Sequence, residues 1–331
     1  MAELRRYEGM NIINPSTASV PSFRTSIPDL CTPVPRAVDE LVINWHVTEA
    51  CNFKCEYCYA HWESPKKSRD LIRDDVESLR LVEAIWDFFN PENASNPLRK
   101  HLRWSNLRLN IAGGEPLIYR QHVARIAAHA KFLGMRVSII TNGSLFSQAG
   151  EDFNQFARTL DMVGFSIDSA SDETNKKIGR VGRPGNTLRA ERFVELAECF
   201  RLANPDITIK VNTVVNKFNS DEDLRPVIEK IRPNRWKIFR VLPVISDELA
   251  VSDMEFSGFV ALNEGLETRV SVEDNREMLE SYIMVDPIGR FFQNRSGGKN
   301  GYAYSLPITK ETIAEQFLGV AFDSNMFASR Y

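Results

Sequence analysis

The chain reads as an α/β protein whose strands line up in a parallel sheet, forming a barrel or part of one. Strand-like and helix-like segments alternate six times between residues 40 and 245, the pattern of successive βα units. The composition is that of an ordinary globular protein, with 43% hydrophobic and 26% charged residues among 331. Several strands carry polar residues at i and i+2 with an apolar residue between them. One face of each is therefore suited to covering helices and the other to something polar.

Residues 1–39 read as an irregular lead-in, because 14–36 is rich in Pro, Ser and Thr and has neither helical nor strand period. Its Cys31 reads as a bystander. Residues 40–245 carry the barrel. A first strand at 41–47 leads into a cysteine loop and an amphipathic helix at 73–89. A second strand at 107–111 ends in Gly113-Gly114-Glu115-Pro116, and a helix follows at 121–133. The third strand, 136–141, stops at Asn142-Gly143; a short helix at 151–159 and a fourth strand at 162–167 come next. The helix at 188–202 puts Val194, Ala197, Cys199 and Phe200 on its apolar side, which makes Cys199 a small core residue. Strands at 207–215 and 236–241 flank a helix at 221–231. Residues 246–331 break the rhythm, with a helix at 256–264 and strand-like pieces at 269–272 and 282–285. They are expected to form an extension that closes the barrel mouth.

Charge and length exclude several classes. A net charge of -3 argues against bulk nucleic-acid binding. No apolar run is long enough to span a membrane, and the N-terminus has no signal-peptide core. Five cysteines in so long a chain are no disulfide framework, so a reducing, cytoplasmic location is expected.

Three of the five cysteines, Cys51, Cys55 and Cys58, fall in one loop after the first strand. Three thiolates this close can converge on one metal centre. A structural zinc site wants four ligands, for which His46 or His61 could complete the set. An iron–sulfur cube also takes four cysteines as a rule, and with three supplied one iron stays open to another molecule.

The CxxxCxxC loop resembles that of the radical S-adenosylmethionine (SAM) superfamily, whose fold is a partial (β/α)6 barrel. The resemblance implies a [4Fe-4S] cluster on Cys51, Cys55 and Cys58, with SAM on the open iron. Gly113, Gly114 and Glu115 match the family's site for the SAM amino group, and Tyr57 sits where the family places an aromatic against adenine.

The polar strand faces extend the argument. Arg108 with Asn110, Ser166 with Asp168, Lys210 with Asn212 and Arg235 with Lys237 are all i, i+2 pairs, separated by residues such as Leu109, Val211 and Trp236. If these faces point inward, Arg108, Lys210, Arg235 and Lys237 converge on one lumen. They would repel strongly unless paired with acidic neighbours or neutralised by a polyanion such as a triphosphate.

Within the superfamily the chain resembles the viperins, in a soluble microbial or fungal form. The match runs through Asn44-Trp45-His46-Val47-Thr48, Thr141-Asn142-Gly143-Ser144-Leu145, Phe165-Ser166-Ile167-Asp168-Ser169, Ile178-Gly179-Arg180, the strand from Ile209 to Asn216, Arg235-Trp236-Lys237 and Ser281-Tyr282. It implies conversion of a nucleoside triphosphate to its 3′-deoxy-3′,4′-didehydro form in antiviral defence. CTP is the expected substrate, with UTP and GTP as alternatives. Asn44, Arg108, Lys210, Asn212, Arg235, Lys237 and Tyr282 would hold the nucleotide, and Tyr282 could also supply a proton or hydrogen atom. Ser166, Arg180 and Asn142 would help to hold SAM. The implied partners are an electron donor and a nucleotide kinase, with no nucleic acid and no membrane anchor. Arg108 stands where the family usually has lysine, and Arg290-Phe291-Phe292-Gln293-Asn294 matches only loosely. Another radical SAM enzyme with a different anionic substrate, or a non-catalytic metal-binding protein, would share the cysteine loop. Peptide-modifying members often bring further C-terminal cysteines, and none follows Cys199.

Overall fold

The alternation in the sequence becomes strands and helices in the same order. The structure, a computed structural model, describes residues 34–62, 69–146, 150–182, 185–243, 247–294 and 301–330. The lead-in up to residue 33, with Cys31, lies outside the described residues. The elements are β1 (Arg36–His46), α1 (Asp75–Phe89), β2 (Leu102–Ala112), α2 (Arg120–Leu133), β3 (Arg136–Thr141), α3 (Glu151–Thr159) and β4 (Met162–Ser166). There follow α4 (Asp172–Lys177), α5 (Ala190–Ala203), β5 (Thr208–Val215), α6 (Arg225–Ile231), β6 (Arg235–Arg240), α7 (Asp253–Leu262) and β7 (Arg269–Glu273). The chain continues through β8 (Ile283–Val285), β9 (Arg290–Asn294), β10 (Tyr302–Pro307), α8 (Ile313–Leu318) and α9 (Ser324–Ala328).

These strands share one sheet in the order β10-β9-β8-β1-β2-β3-β4-β5-β6-β7. Neighbours from β8 through β7 are parallel, while β9 and β10 add antiparallel strands at one end. Parallel neighbours cannot be joined by a tight hairpin, so helices provide the crossovers between β1 and β6. The helices cover one face and bury its apolar residues. In β5, Ile209, Val211, Thr213 and Val215 are buried while Lys210, Asn212 and Val214 are half-buried, the two-residue period expected of a strand with two different faces. Ile209 and Val211 are fully buried, each contributing about 1.5–3 kcal/mol of hydrophobic stabilisation. Trp236, also fully buried, donates its indole N–H to Thr213 Oγ1 at 2.9 Å.

Element boundaries differ from the sequence expectation where pairing or capping overrides pattern. β1 starts at Arg36 because the polar residues ahead of Leu41 pair with β2, beginning with Arg36 opposite Leu102. α6 starts at Arg225, and Pro226 is accepted in its first turn, where no N–H is needed. α7 starts at Asp253, behind a capping box of Ser252 and Glu255. The larger difference lies after residue 245. The two strand-like pieces there join the main sheet at opposite ends of its βα core: β7 beside β6, and β8 beside β1. Unpaired strand edges offer rows of N–H and C=O groups, and these segments satisfy them. Among the described residues no helix is long and apolar enough to cross a membrane.

Candidate functional site

The polar strand faces and the cysteine loop line one cavity of about 280 Å³. Of the residues singled out in the sequence, Asn44, Cys51, Cys55, Tyr57, Cys58, Arg108, Gly113, Gly114, Asn142, Ser166, Arg180, Lys210, Asn212, Lys237 and Tyr282 all line it. Glu115 and Arg235 do not.

The cysteine loop is seated by backbone contacts on two sides. Gly114 N–H donates to Thr48 O at 2.7 Å and Glu115 N–H to Ala50 O at 2.9 Å. On the other side Lys54 N–H reaches Gly179 O at 3.2 Å and Glu56 N–H reaches Ile178 O at 3.0 Å. Both approaches need glycine. A Cβ on Gly114 would collide with the Ala50 carbonyl oxygen, and one on Gly179, at φ +79°, with that of Lys54. Phe53 N–H donates to Cys51 Sγ at 3.3 Å, and Asn142 Nδ2 lies 3.9 Å from the same sulfur. Burial raises the pKa of all three thiols, that of Cys55 to about 12. Iron would reverse that preference by holding them as thiolates. Three sulfurs on one loop and lining one cavity, with amide donors at Cys51, fit a cluster with an open iron. His46 also lines the cavity, as a neutral imidazole whose pKa burial lowers to about 3, packed edge-on against Phe292. His61 is exposed. Among the described residues no three His, Cys, Asp or Glu side chains group as they would around a single ion.

Glu115 departs from expectation. Its carboxylate is fully buried behind the cavity wall and accepts from Leu117 N–H at 3.1 Å, Thr141 Oγ1 at 2.8 Å and Asn142 N–H at 2.8 Å. It therefore ties the glycine turn to the end of β3. Burial pushes its pKa up to about 7, against the pull of those donors. Gly113 and Gly114, by contrast, line the cavity themselves. Arg180 is also braced from within: it donates to Asp168 at 2.9 Å and to Ser166 O at 2.5 Å. The Tyr57 hydroxyl donates to Asp168 as well. Burial opposes the charge on Arg180, but Asp168 and Tyr57 outweigh it and hold its pKa well above the usual value. Asp168 accepts from Val214 N–H at 2.7 Å too, so one carboxylate fixes the cysteine loop, Arg180 and β5 together.

On the other side positive charge exceeds its local compensation. Arg108 meets Glu40 at 2.7 Å and donates to Ser138 Oγ at 2.9 Å. Ser138 donates to Asn110 Oδ1 at 2.7 Å, and Asn110 to Asn44 Oδ1 at 2.9 Å, so one polar chain links β3, β2 and β1. Lys237 pairs with Glu273 and donates to the Tyr282 hydroxyl at 2.8 Å. Among the described residues the Lys210 side chain has neither an ion pair nor a hydrogen bond, although its backbone pairs within the sheet. Its pKa falls well below the lysine norm through burial first, then through Lys237, Arg235 and Arg108. Beside it Asn212 presents a buried Oδ1 with no hydrogen-bond partner. Arg235, expected in the lumen, instead donates to Ser271 Oγ at 3.1 Å and to Arg330 O at 3.4 Å, and acts on Lys210 from outside the cavity wall. Acidic partners therefore serve Arg108 and Lys237, while Lys210 is left facing the cavity.

Several participants carried no usable sequence signal. Arg240 lines the cavity and reaches Asp253 at 2.7 Å. Glu40, Glu273 and Arg330 act from behind the wall. Asp168 and Asn110, by contrast, are legible in the sequence through their i, i+2 pairing with Ser166 and Arg108.

Similarity to known proteins identifies the family and the fold. Residues 45–231 match the family described as the Radical SAM superfamily. A protein of Psychrobacter lutiphocae named S-adenosylmethionine-dependent nucleotide dehydratase is 40% identical over 296 residues, spanning 88% of this chain and 95% of that relative. A protein of the same name from Pseudoalteromonas ulvae is 37% identical over 89% of this chain and 94% of its own. Among solved structures, Streptococcus suis SuiB bound to S-adenosylmethionine is similar in fold, with a TM-score of 0.57 over 88% of this chain and 68% of that one, at 14% identity.

Proposed function

The chain belongs to the radical SAM superfamily, among the S-adenosylmethionine-dependent nucleotide dehydratases, and we propose that it converts a nucleoside triphosphate to the 3′-deoxy-3′,4′-didehydro form. Lys210 carries this reading: a half-buried lysine without an ion-pair partner among the described residues, facing the cavity that holds the three cysteines. A triphosphate neutralises what the protein leaves uncompensated, and its ribose would then point toward the cysteine loop.

The family's cofactors are a [4Fe-4S] cluster and SAM; when bound, they supply a 5′-deoxyadenosyl radical able to take hydrogen from ribose C4′. Cys51, Cys55 and Cys58 hold the cluster. The backbone of Gly113 and Gly114, with Tyr57, Asn142, Ser166 and Arg180, forms the SAM side of the cavity. Arg108, Lys210 and Lys237 bind the phosphates, with Arg235 adding its charge from behind, and Asn44 and Asn212 orient the nucleotide. The substrate leaves lighter by one water, losing hydrogen from C4′ and hydroxyl from C3′. An external one-electron donor balances that loss, and Tyr282, held between Lys237 and Glu273, supplies the proton that lets the hydroxyl depart as water. Positioning of the ribose is the main work of the protein groups. CTP is the proposed substrate. A product without a 3′-hydroxyl cannot be extended by a polymerase, which supports a role in antiviral defence.

The test is anaerobic reconstitution followed by SAM, dithionite and CTP, UTP, GTP or ATP separately, read by mass spectrometry. Both 5′-deoxyadenosine and a nucleotide lighter by one water are expected with CTP. If both arise with another base, the chemistry stands and the base assignment changes. If 5′-deoxyadenosine stays at the no-nucleotide background while the cluster is present, the triphosphate reading fails.

A further inference from the structure

Behind the phosphate side of the cavity lies a cluster that no motif announced. Arg330, following α9, has a side chain only 6% exposed. Its Nη1 donates to Ser281 O at 2.9 Å, its Nη2 to Ser281 Oγ at 2.5 Å, and its Nε lies 3.2 Å from Glu273 Oε1. The guanidinium also lies over the Tyr282 ring, 4.0 Å from its centre. Glu273, at the end of β7, thus receives three groups at once: Lys237, Arg330 and the Tyr282 hydroxyl.

One carboxylate shared by two cations leaves the trio with a net positive charge. Were Glu273 shared with no other cation, it would cancel the field of Lys237 at the cavity. We propose that Arg330 is a positioning residue of the substrate site: it divides the charge of Glu273 with Lys237 and clamps the Tyr282 ring, so that the wall presents net positive charge and a fixed hydroxyl to the triphosphate. This rests on the proposed function above.

The electrostatics give the idea a signature. Lys237 faces Glu273 from β7, Tyr282 ahead of β8, Arg330 after α9, Lys210 from β5 and Arg235 on its own strand. Burial lowers its pKa to about 8; Glu273 works against that lowering and Arg330 adds to it. Removing Arg330 therefore moves the Lys237 titration upward, and removing the Glu273 charge moves it downward. A residue that merely stabilised the fold would do neither.

The test uses the reconstituted enzyme with SAM, comparing wild type, Arg330→Gln, Arg330→Lys and Glu273→Gln. Triphosphate Kd is measured from neutral to alkaline pH, alongside SAM Kd and melting temperature. Arg330→Gln should weaken triphosphate binding about tenfold, leave SAM binding unchanged and raise the pH at which triphosphate binding fades. Arg330→Lys should recover most of the affinity, and Glu273→Gln should shift the pH dependence the opposite way. Wild-type affinity and an unmoved pH dependence in Arg330→Gln would overturn the inference. So would a parallel loss of SAM binding, triphosphate binding and melting temperature with no pH displacement. If the wild-type enzyme itself binds no triphosphate, the proposed function falls and this inference with it.

Discussion

The two halves of the cavity solve opposite electrostatic problems. Around the cysteine loop the buried charges are matched from within: Arg180 by Asp168, and the Glu115 carboxylate by three hydrogen-bond donors. Across the lumen, Arg108 and Lys237 have acidic partners, but Lys210 has none among the described residues, and Arg235 adds further positive charge behind it. A half whose charges are settled is a rigid seat, suited to a ligand held mainly through backbone groups and metal. A half with positive charge left over is complete only when an anion arrives, and until then it lowers the stability of the fold.

If the halves are independent, Cys55→Ala should give the largest effect and confine it to one side. Iron content, visible absorbance and 5′-deoxyadenosine formation should fall to background, while calorimetry still detects triphosphate binding. Collapse of nucleotide binding in that variant would break the division. Lys210→Met probes the other side. Loss of a charge-assisted contact worth about 1.5–3 kcal/mol should weaken triphosphate binding about 10- to 100-fold and leave SAM binding unchanged. Because the variant removes a half-buried charge with no acidic partner among the described residues, its ligand-free melting temperature should rise. A drop in melting temperature with unchanged affinity would assign Lys210 to structure instead.

Glu115→Gln sharpens the claim that the cysteine half is internally settled. The amide NH2 must face a backbone N–H where a carboxylate oxygen now accepts, at a cost of about 1–3 kcal/mol of unfolding free energy. The pH dependence follows the same group. Its pKa is raised in the fold from 4.5 to about 7, so its stabilising contribution is full below 4.5 and lost as pH rises through about 7. Denaturant melts across that range should show the slope in wild type and a weaker one in the variant. The smallest effect belongs to Lys237, whose pKa is lowered from 10.5 to about 8. Triphosphate affinity should decline several-fold as pH rises through about 8. The ligand-free fold, penalised by this charge at lower pH, should gain stability between about 8 and 10.5. Isothermal titration and thermal melts over that interval check both signs.

Much of this was legible in the sequence. The six βα strands were found in order because a strand with one helix-covered face repeats every two residues, and Lys210-Val211-Asn212 displays that period plainly. The same period sent Lys210 and Asn212 to the cavity and Val211 to the core. It failed at Arg235, whose side chain has Ser271 and the Arg330 carbonyl as partners outside the lumen. It could not find β7 and β8 as members of the main sheet either, because joining an edge depends on which strand is left unpaired in space.

The cysteine loop, the glycine turn and the polar strand faces can be read from residues within a few positions of one another. How the charges are shared follows instead from the packing of distant segments. Asp168 serves Tyr57, Arg180 and Val214, and Glu273 serves Lys237, Tyr282 and Arg330, partners scattered along the chain. Coulomb energy depends on distance and local dielectric, not on sequence separation, so whether a cation is neutralised or left waiting for substrate is set only when the strands are placed side by side.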